Sequence, residues 1–165
     1  KQLLYDLWIY VDSGISGKSI ILEKALELVD GAHESIKNCS FLVPDGKFHQ
    51  ALQRSNRAGK KVEVISTDFH LERPLYSENN LFYVASRLSL LREYPYSLDL
   101  NPFQYMHVKL LLIDLNYAFL GSHNLSSKGV RAGTAEVQIL TTDPQIVAGL
   151  HRKFEDFKIA CQTDL

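Results

Sequence analysis

The stretch Leu110-Leu111-Leu112-Ile113 constrains this chain more than any other, because four apolar residues in a row without polar alternation suit a strand covered on both faces. It ends a longer apolar run, Met106 to Ile113, broken only by His107 and Lys109. Asp114-Leu115-Asn116 follows, and then a second apolar run, Tyr117 to Leu120. Two β-forming runs separated by three turn-forming residues predict a hairpin. A strand buried on both faces needs a layer on either side, which the rest of the chain has to supply as helices.

The remaining pattern alternates accordingly. Leu7 to Val11 is an apolar, aromatic and β-branched run that stops at Asp12-Ser13-Gly14, a strand entering a turn. Ser19 stands where an N-cap belongs, and Ile21, Leu22, Ala25, Leu26, Leu28, Val29 and Ala32 recur at helical spacing to about Ser35. Ile36 to Pro44 reads as a second strand. Asp45-Gly46 opens a helix that stops near Arg57-Ala58-Gly59, and Val62 to Ser66 is a third strand. Glu78 to Glu93 has helical spacing, Tyr94 to Gln104 with its prolines reads as a loop, Glu136 to Leu140 as a strand and Pro144 to Ala160 as a closing helix. Strand, helix, strand, helix, strand predicts an α/β fold built on a mixed, largely parallel sheet with helices on both faces. At 165 residues and 45% hydrophobic content, residues 1–165 make one domain with a real core.

A formal net charge of −1 excludes a strongly basic surface, so a polyanion would have to be met by a local patch. The two cysteines, Cys39 and Cys161, have no zinc or redox spacing and read as ordinary, partly buried thiols. No apolar run approaches the roughly 18 to 20 residues that cross a bilayer. A chain that begins at Lys1 leaves a preceding segment open, and the compartment with it.

His107 and Lys109 enter the strongest apolar run at positions i and i+2, which on a strand share a face. An ammonium beside an imidazole offers an anion both charge and a nucleophile or proton carrier; taken alone, the pair reads equally well as an exposed strand end. Gly121-Ser122-His123-Asn124 closes the hairpin, bringing a hydroxyl and a carboxamide that can donate to phosphate oxygens, with a glycine that permits close backbone approach. By itself this tetrapeptide is an ordinary turn.

Together, His107-x-Lys109-x4-Asp114 and Gly121-Ser122-x-Asn124 resemble the HxKxxxxD and GSxN motifs of the phospholipase D superfamily. The resemblance implies a phosphodiesterase in which His107 attacks phosphorus to form a phosphohistidine, while Lys109, Asn124 and Ser122 hold the phosphate oxygens. Asp114 takes an architectural role. Glu136 resembles the downstream acid that orients a motif histidine, against the plainer reading of a strand-edge surface charge. Neither a cofactor nor a metal is implied.

The chemistry uses two motif histidines and this chain has one HxK motif, so the resemblance implies a homodimer with both His107 side chains at one shared site, or else a second motif-bearing domain. Small single-motif relatives point to nucleic-acid phosphodiesters. The alternative is a phospholipase or phosphatidyltransferase of the cardiolipin synthase kind, although Leu125-Ser126-Ser127-Lys128 departs from the Asp and Arg-Ser pair usual there.

Two other signals carry less. Gly14-Ile15-Ser16-Gly17-Lys18-Ser19 lacks the first glycine of a phosphate loop, since Asp12 stands in its place, and reads as a capped connection. Arg54, Arg57, Lys60 and Lys61 read as a solvated helix end. His33, His49, His70, His123 and His151 lack ligand spacing and read as surface or loop residues, with His123 near the mouth of the site.

Overall fold

The structure is a computed structural model and describes residues 5–41, 46–67, 92–96 and 106–163, without the side chains of 67, 92–96, 127–129 and 161–163. The described elements run β1 (Leu7–Ser13), α1 (Ile20–Asp30), β2 (Ser35–Ser40), α2 (Gly46–Arg57), β3 (Lys61–Thr67), β4 (Arg92–Tyr96), β5 (Leu110–Ile113), β6 (Tyr117–Gly121), α3 (Ser127–Ala132), β7 (Ala135–Thr141) and α4 (Pro144–Thr163). All seven strands join one sheet in the order β1-β7-β6-β5-β2-β3-β4.

The buried strand is β5, and its residues divide between two cores as an unalternated run requires. Leu111 and Ile113 pack with Ile21, Ala25 and Val29 of α1 and with Phe48, Ala51 and Leu52 of α2. Leu110 and Leu112 face the other way, onto Val147 and Phe154 of α4. Helices therefore cover both faces. Each large side chain so removed from water contributes about 1.5–3 kcal/mol.

The sheet is mixed, but parallel pairing is the smaller part. Only β2–β3 and β3–β4 are parallel, whereas β1–β7, β7–β6, β6–β5 and β5–β2 are antiparallel. The expectation of a largely parallel sheet gives way to a mostly antiparallel one, because β5, β6 and β7 join antiparallel beside β2 and because β1 does not lie beside β2. It pairs along its whole length with β7, from Leu7↔Thr141 to Ser13↔Ala135.

Local signals account for the element ends. Ser19 caps α1, accepting the Leu22 N–H at 2.9 Å, and Gly59 takes φ +89 just after α2. Asp143 Oδ1 accepts the Gln145 N–H at 2.8 Å ahead of α4, with Pro144 as its first residue. Residues 92–96 correct two expectations, since the end of the anticipated helix and the start of the anticipated loop form a strand paired with β3. The rest of both segments lies outside the described residues.

Ion pairs fasten α4. Lys158 reaches fully buried Glu63 of β3 at 2.5 Å, and Lys37 of β2 binds Glu155 at 2.6 Å while its ammonium lies 5.3 Å from the Phe154 ring centre. No described helix is long and apolar enough to cross a membrane.

Candidate active site

Five adjacent strands deliver polar or aromatic side chains to one edge of the sheet. Across it stand Asp12 near the end of β1, Glu136 at the start of β7, Ser122 just past β6, Lys109 just before β5 and Phe41 just past β2. The ladder sets their order: Asp12 pairs with Glu136, the Ser122 N–H donates to the Val137 carbonyl at 2.9 Å, and the Gly121 N–H donates to the Lys109 carbonyl at 3.3 Å.

His107 and Lys109 lie in the segment leading into β5, outside its regular ladder. The expected strand from Met106 is shortened to Leu110–Ile113 because its partner β6 ends at Gly121. His107 is exposed, its ring set against Phe41 with centroids 5.8 Å apart and planes at 64°. Lys109 is half-buried and donates to the His107 carbonyl at 2.9 Å. Burial pushes the Lys109 ammonium below its ordinary pKa, and the charge of Glu136 opposes this. An ammonium has three donors, so Lys109 keeps donors for an incoming anion.

Gly121 is required by packing. A Cβ there would stand 2.2 Å from the Val137 carbonyl oxygen and 2.5 Å from Gln138 Oε1. The close approach lets Ser122 hydrogen-bond across to β7, where its hydroxyl donates to Glu136 and accepts the Val137 N–H at 3.0 Å. Among the described residues the carboxylate of Glu136 thus meets Ser122 and not His107, and the Ser122 proton is committed to it. Asn124 follows, half-buried, and its Oδ1 is buried without a hydrogen-bond partner among the described residues.

Asp114 lies elsewhere. It closes the opposite end of β5, at φ +51, where its carboxylate accepts the N–H groups of His33 at 3.0 Å, Glu34 at 2.8 Å and Ser35 at 2.8 Å. Burial raises its pKa, but these three bonds outweigh that and hold it below the usual carboxylate range. This is an architectural role.

The structure also gives partners to His123, which the sequence placed near the mouth of the site, and adds Asp12 and Gln138, which it did not assign there. His123 is buried, not a surface residue, with Nδ1 accepting the Leu125 N–H at 2.8 Å and Nε2 3.7 Å from Asp12 Oδ2. Asp12, read as a turn residue, is buried too. Gln138, also buried, accepts the His123 N–H at 3.3 Å. His49 and His151 are likewise buried, while His70 lies outside the described residues. Proximity in sequence to Ser122 and Asn124 was the available signal for His123; nothing local marked its partner. The loop 14–19 is a connection as anticipated, with Gly17 N–H donating to the Val130 carbonyl at 2.8 Å and Ser16 Oγ to the Arg131 carbonyl at 2.5 Å. Two residues of the basic cluster turn back on Asp30: Arg54 pairs with its carboxylate and Lys60 donates to its carbonyl. Among the described residues no group of three or more His, Cys, Asp or Glu is placed to hold a metal ion.

An exposed imidazole, an ammonium with donors to spare and a GSxN turn share one sheet edge, an arrangement that can bind an anion. The chain matches the family described as "Cardiolipin synthase, PLD-like domain" over residues 25–158, and it belongs to this phospholipase D-like family, which has phosphodiesterase members. Its fold is similar to that of NucT from Helicobacter pylori (TM-score 0.74, 17% identity, 93% of this chain and 96% of that one). It is also similar to Nuc from Salmonella typhimurium, a phospholipase D family member (0.71, 16%, 93% and 94%). Phosphatidylserine synthase from Haemophilus influenzae Rd KW20 shares the fold at TM-score 0.73 and 19% identity, over 94% of this chain and 39% of that one. No curated protein sequence matches the chain.

Proposed function

We propose that this chain is a hydrolytic phosphodiesterase acting through a covalent phosphohistidine, with nucleic-acid phosphodiesters as substrate. The observation that carries the reading is the arrival of His107, Lys109 and the Gly121–Asn124 turn at one sheet edge, with His107 exposed. A ring nitrogen of His107 attacks phosphorus and the bond to the leaving oxygen breaks. A second histidine supplies the proton that oxygen needs. Water then attacks the phosphohistidine, returns a proton to the second histidine and frees His107. Lys109 and Asn124 hold the non-bridging oxygens as charge builds on them, and Ser122 joins when its hydroxyl turns from Glu136.

The second histidine is His107 of a second copy. On the α4 side of the sheet, Leu7, Ile9 and Val11 of β1 are 60%, 63% and 57% exposed, and they pair in register with Thr141, Ile139 and Val137 of β7, of which Ile139 and Val137 are also exposed. This apolar stripe ends beside Glu136, at the edge that needs a second histidine. Covering it with the same stripe of another copy would complete the site and remove the exposed surface together.

The nucleic-acid reading is supported by the likeness of fold to NucT and Nuc and by Leu125-Ser126-Ser127-Lys128, which lacks the acid and Arg-Ser pair of cardiolipin synthases. The family description and the likeness to phosphatidylserine synthase favour a second reading, lipid phosphodiester transfer by one half of a larger enzyme. Bis-p-nitrophenyl phosphate, single-stranded DNA, RNA and anionic phospholipid vesicles, each incubated with the protein in EDTA, separate the two. Turnover of the chromogenic ester and of nucleic acid is expected. Turnover of lipid alone overturns the substrate, and loss in EDTA that a divalent ion restores overturns the mechanism. A monomer at all concentrations that is still active overturns the shared site.

A further inference from the structure

We propose that Asp12 and His123 form a positioning dyad that latches the turn carrying Asn124 and releases it when His123 is protonated. The proposal rests on the phosphate-binding role assigned above to Asn124. His123 Nδ1 accepts the Leu125 N–H at 2.8 Å, so that nitrogen carries no proton. The neutral ring then holds its proton on Nε2, which faces Asp12 Oδ2 at 3.7 Å. Asp12 is itself fixed, accepting Ser19 Oγ at 2.5 Å and the Ile21 N–H at 3.2 Å, and Ser19 caps α1. A chain of contacts thus runs from the start of α1 through Asp12 and His123 to Leu125.

What the latch holds is a strained turn. Leu125 sits at φ +52, a left-handed conformation that a leucine does not favour, held by its burial in the core and by the hydrogen bond from its N–H to His123. Asn124 lies between the two latched residues, with the buried Oδ1 that has no partner among the described residues. His123 N–H is pinned to Gln138 of β7 at 3.3 Å, so one side of Asn124 is fixed by the sheet and the other by the imidazole.

A proton on Nδ1 replaces an acceptor with a donor facing the Leu125 N–H, and the bond is lost. The charged groups acting on His123 are Asp12 from β1 and Glu136 from β7, both favouring protonation, against burial, which is the larger influence and holds the ring neutral. Acid therefore opens the latch.

His123→Asn tests this directly, because an asparagine side chain accepts from the N–H two residues on and does not titrate near neutrality. His123→Leu removes the acceptor. The expected result is that His123→Leu lowers kcat/KM for bis-p-nitrophenyl phosphate at pH 7.5 by about 100-fold, the scale of a misplaced binding group, while His123→Asn stays near wild type. His123→Asn should also lose the part of the acid limb that His123 contributes, and Asp12→Asn should shift that part to lower pH. An acid limb identical in wild type and His123→Asn overturns the proposal. In parallel, proton–nitrogen NMR of the substrate-free protein reads the His123 tautomer and the Leu125 amide against pH. A ring protonated on Nδ1 at pH 7.5 refutes the latch whatever the activity. The expected tautomer in a protein that turns over no phosphodiester would instead count against the proposed function.

Discussion

The two ends of β5 carry the three residues of the HxKxxxxD pattern and use them in opposite ways. At one end His107 is exposed and Lys109 has a single hydrogen bond, to a backbone carbonyl, leaving its other donors open among the described residues. At the other, Asp114 is buried and its two carboxylate oxygens accept three backbone N–H groups. Four buried strand residues separate them. Spare hydrogen-bonding capacity marks the end proposed to react, and saturation marks the structural one, in line with the architectural role that the resemblance implies for Asp114.

His107→Ala should produce the largest effect and confine it to activity. Removing a nucleophile costs on the order of 10⁴-fold or more in kcat in enzymes that form covalent intermediates. An exposed side chain outside the packed core costs less than about 0.5 kcal/mol of stability. Kinetics on bis-p-nitrophenyl phosphate and urea denaturation of the same preparation check both halves. Residual activity within tenfold of wild type would assign the nucleophile elsewhere.

Asp114→Ala should do the reverse. Three N–H groups at the start of β2 lose their acceptor, and an alanine inherits φ +51, so about 2–4 kcal/mol of stability should disappear. kcat per folded molecule should stay within about twofold, since the residue touches nothing at the reactive edge. Asp114→Asn sharpens the comparison: it tolerates the left-handed backbone and keeps one acceptor, so its loss should be smaller. A stable Asp114→Ala protein with no activity would move Asp114 into the site and erase the distinction.

The hairpin and the motif were legible because their signals are local. An unalternated run at Leu110–Ile113, followed by turn residues and a second β-forming run, suits a strand sandwiched between layers, and both cores are found. The parallel sheet was misread because strand order is not local: β1 finds its partner in β7, over a hundred residues later, and no pattern within either strand names the other. The strand at residues 92–96 shows the same limit, with pairing to β3 overriding the helical spacing that ran to Glu93. In the site, His107, Lys109, Ser122 and Asn124 were visible as a motif, whereas Asp12, His123 and Gln138 were not. Their roles arise from burial across three strands, and a histidine in a turn looks the same in sequence whether it faces solvent or a buried carboxylate.

The smallest effect concerns pH and two of the buried histidines, His123 and His151. His123 serves the reactive end. The pKa of His151, in α4, is depressed first by burial and then by the charge of Lys37, with the Asp114 backbone and Glu155 opposing. Both rings have folded pKa values below the ordinary value of about 6.5, so the unfolded chain takes up protons first as pH falls. Their contribution to stability is therefore present above about pH 6.5 and is lost as pH drops through the folded values. The slope is at most about 1.4 kcal/mol per pH unit for each ring. Urea midpoints between pH 6.5 and 5 should fall in wild type and fall less steeply in both His151→Gln and His123→Asn. Only the second should also change the acid limb of activity, because only His123 touches the turn bearing Asn124. If His151→Gln shifts that limb equally, the two ends of the strand are coupled and the division between them fails.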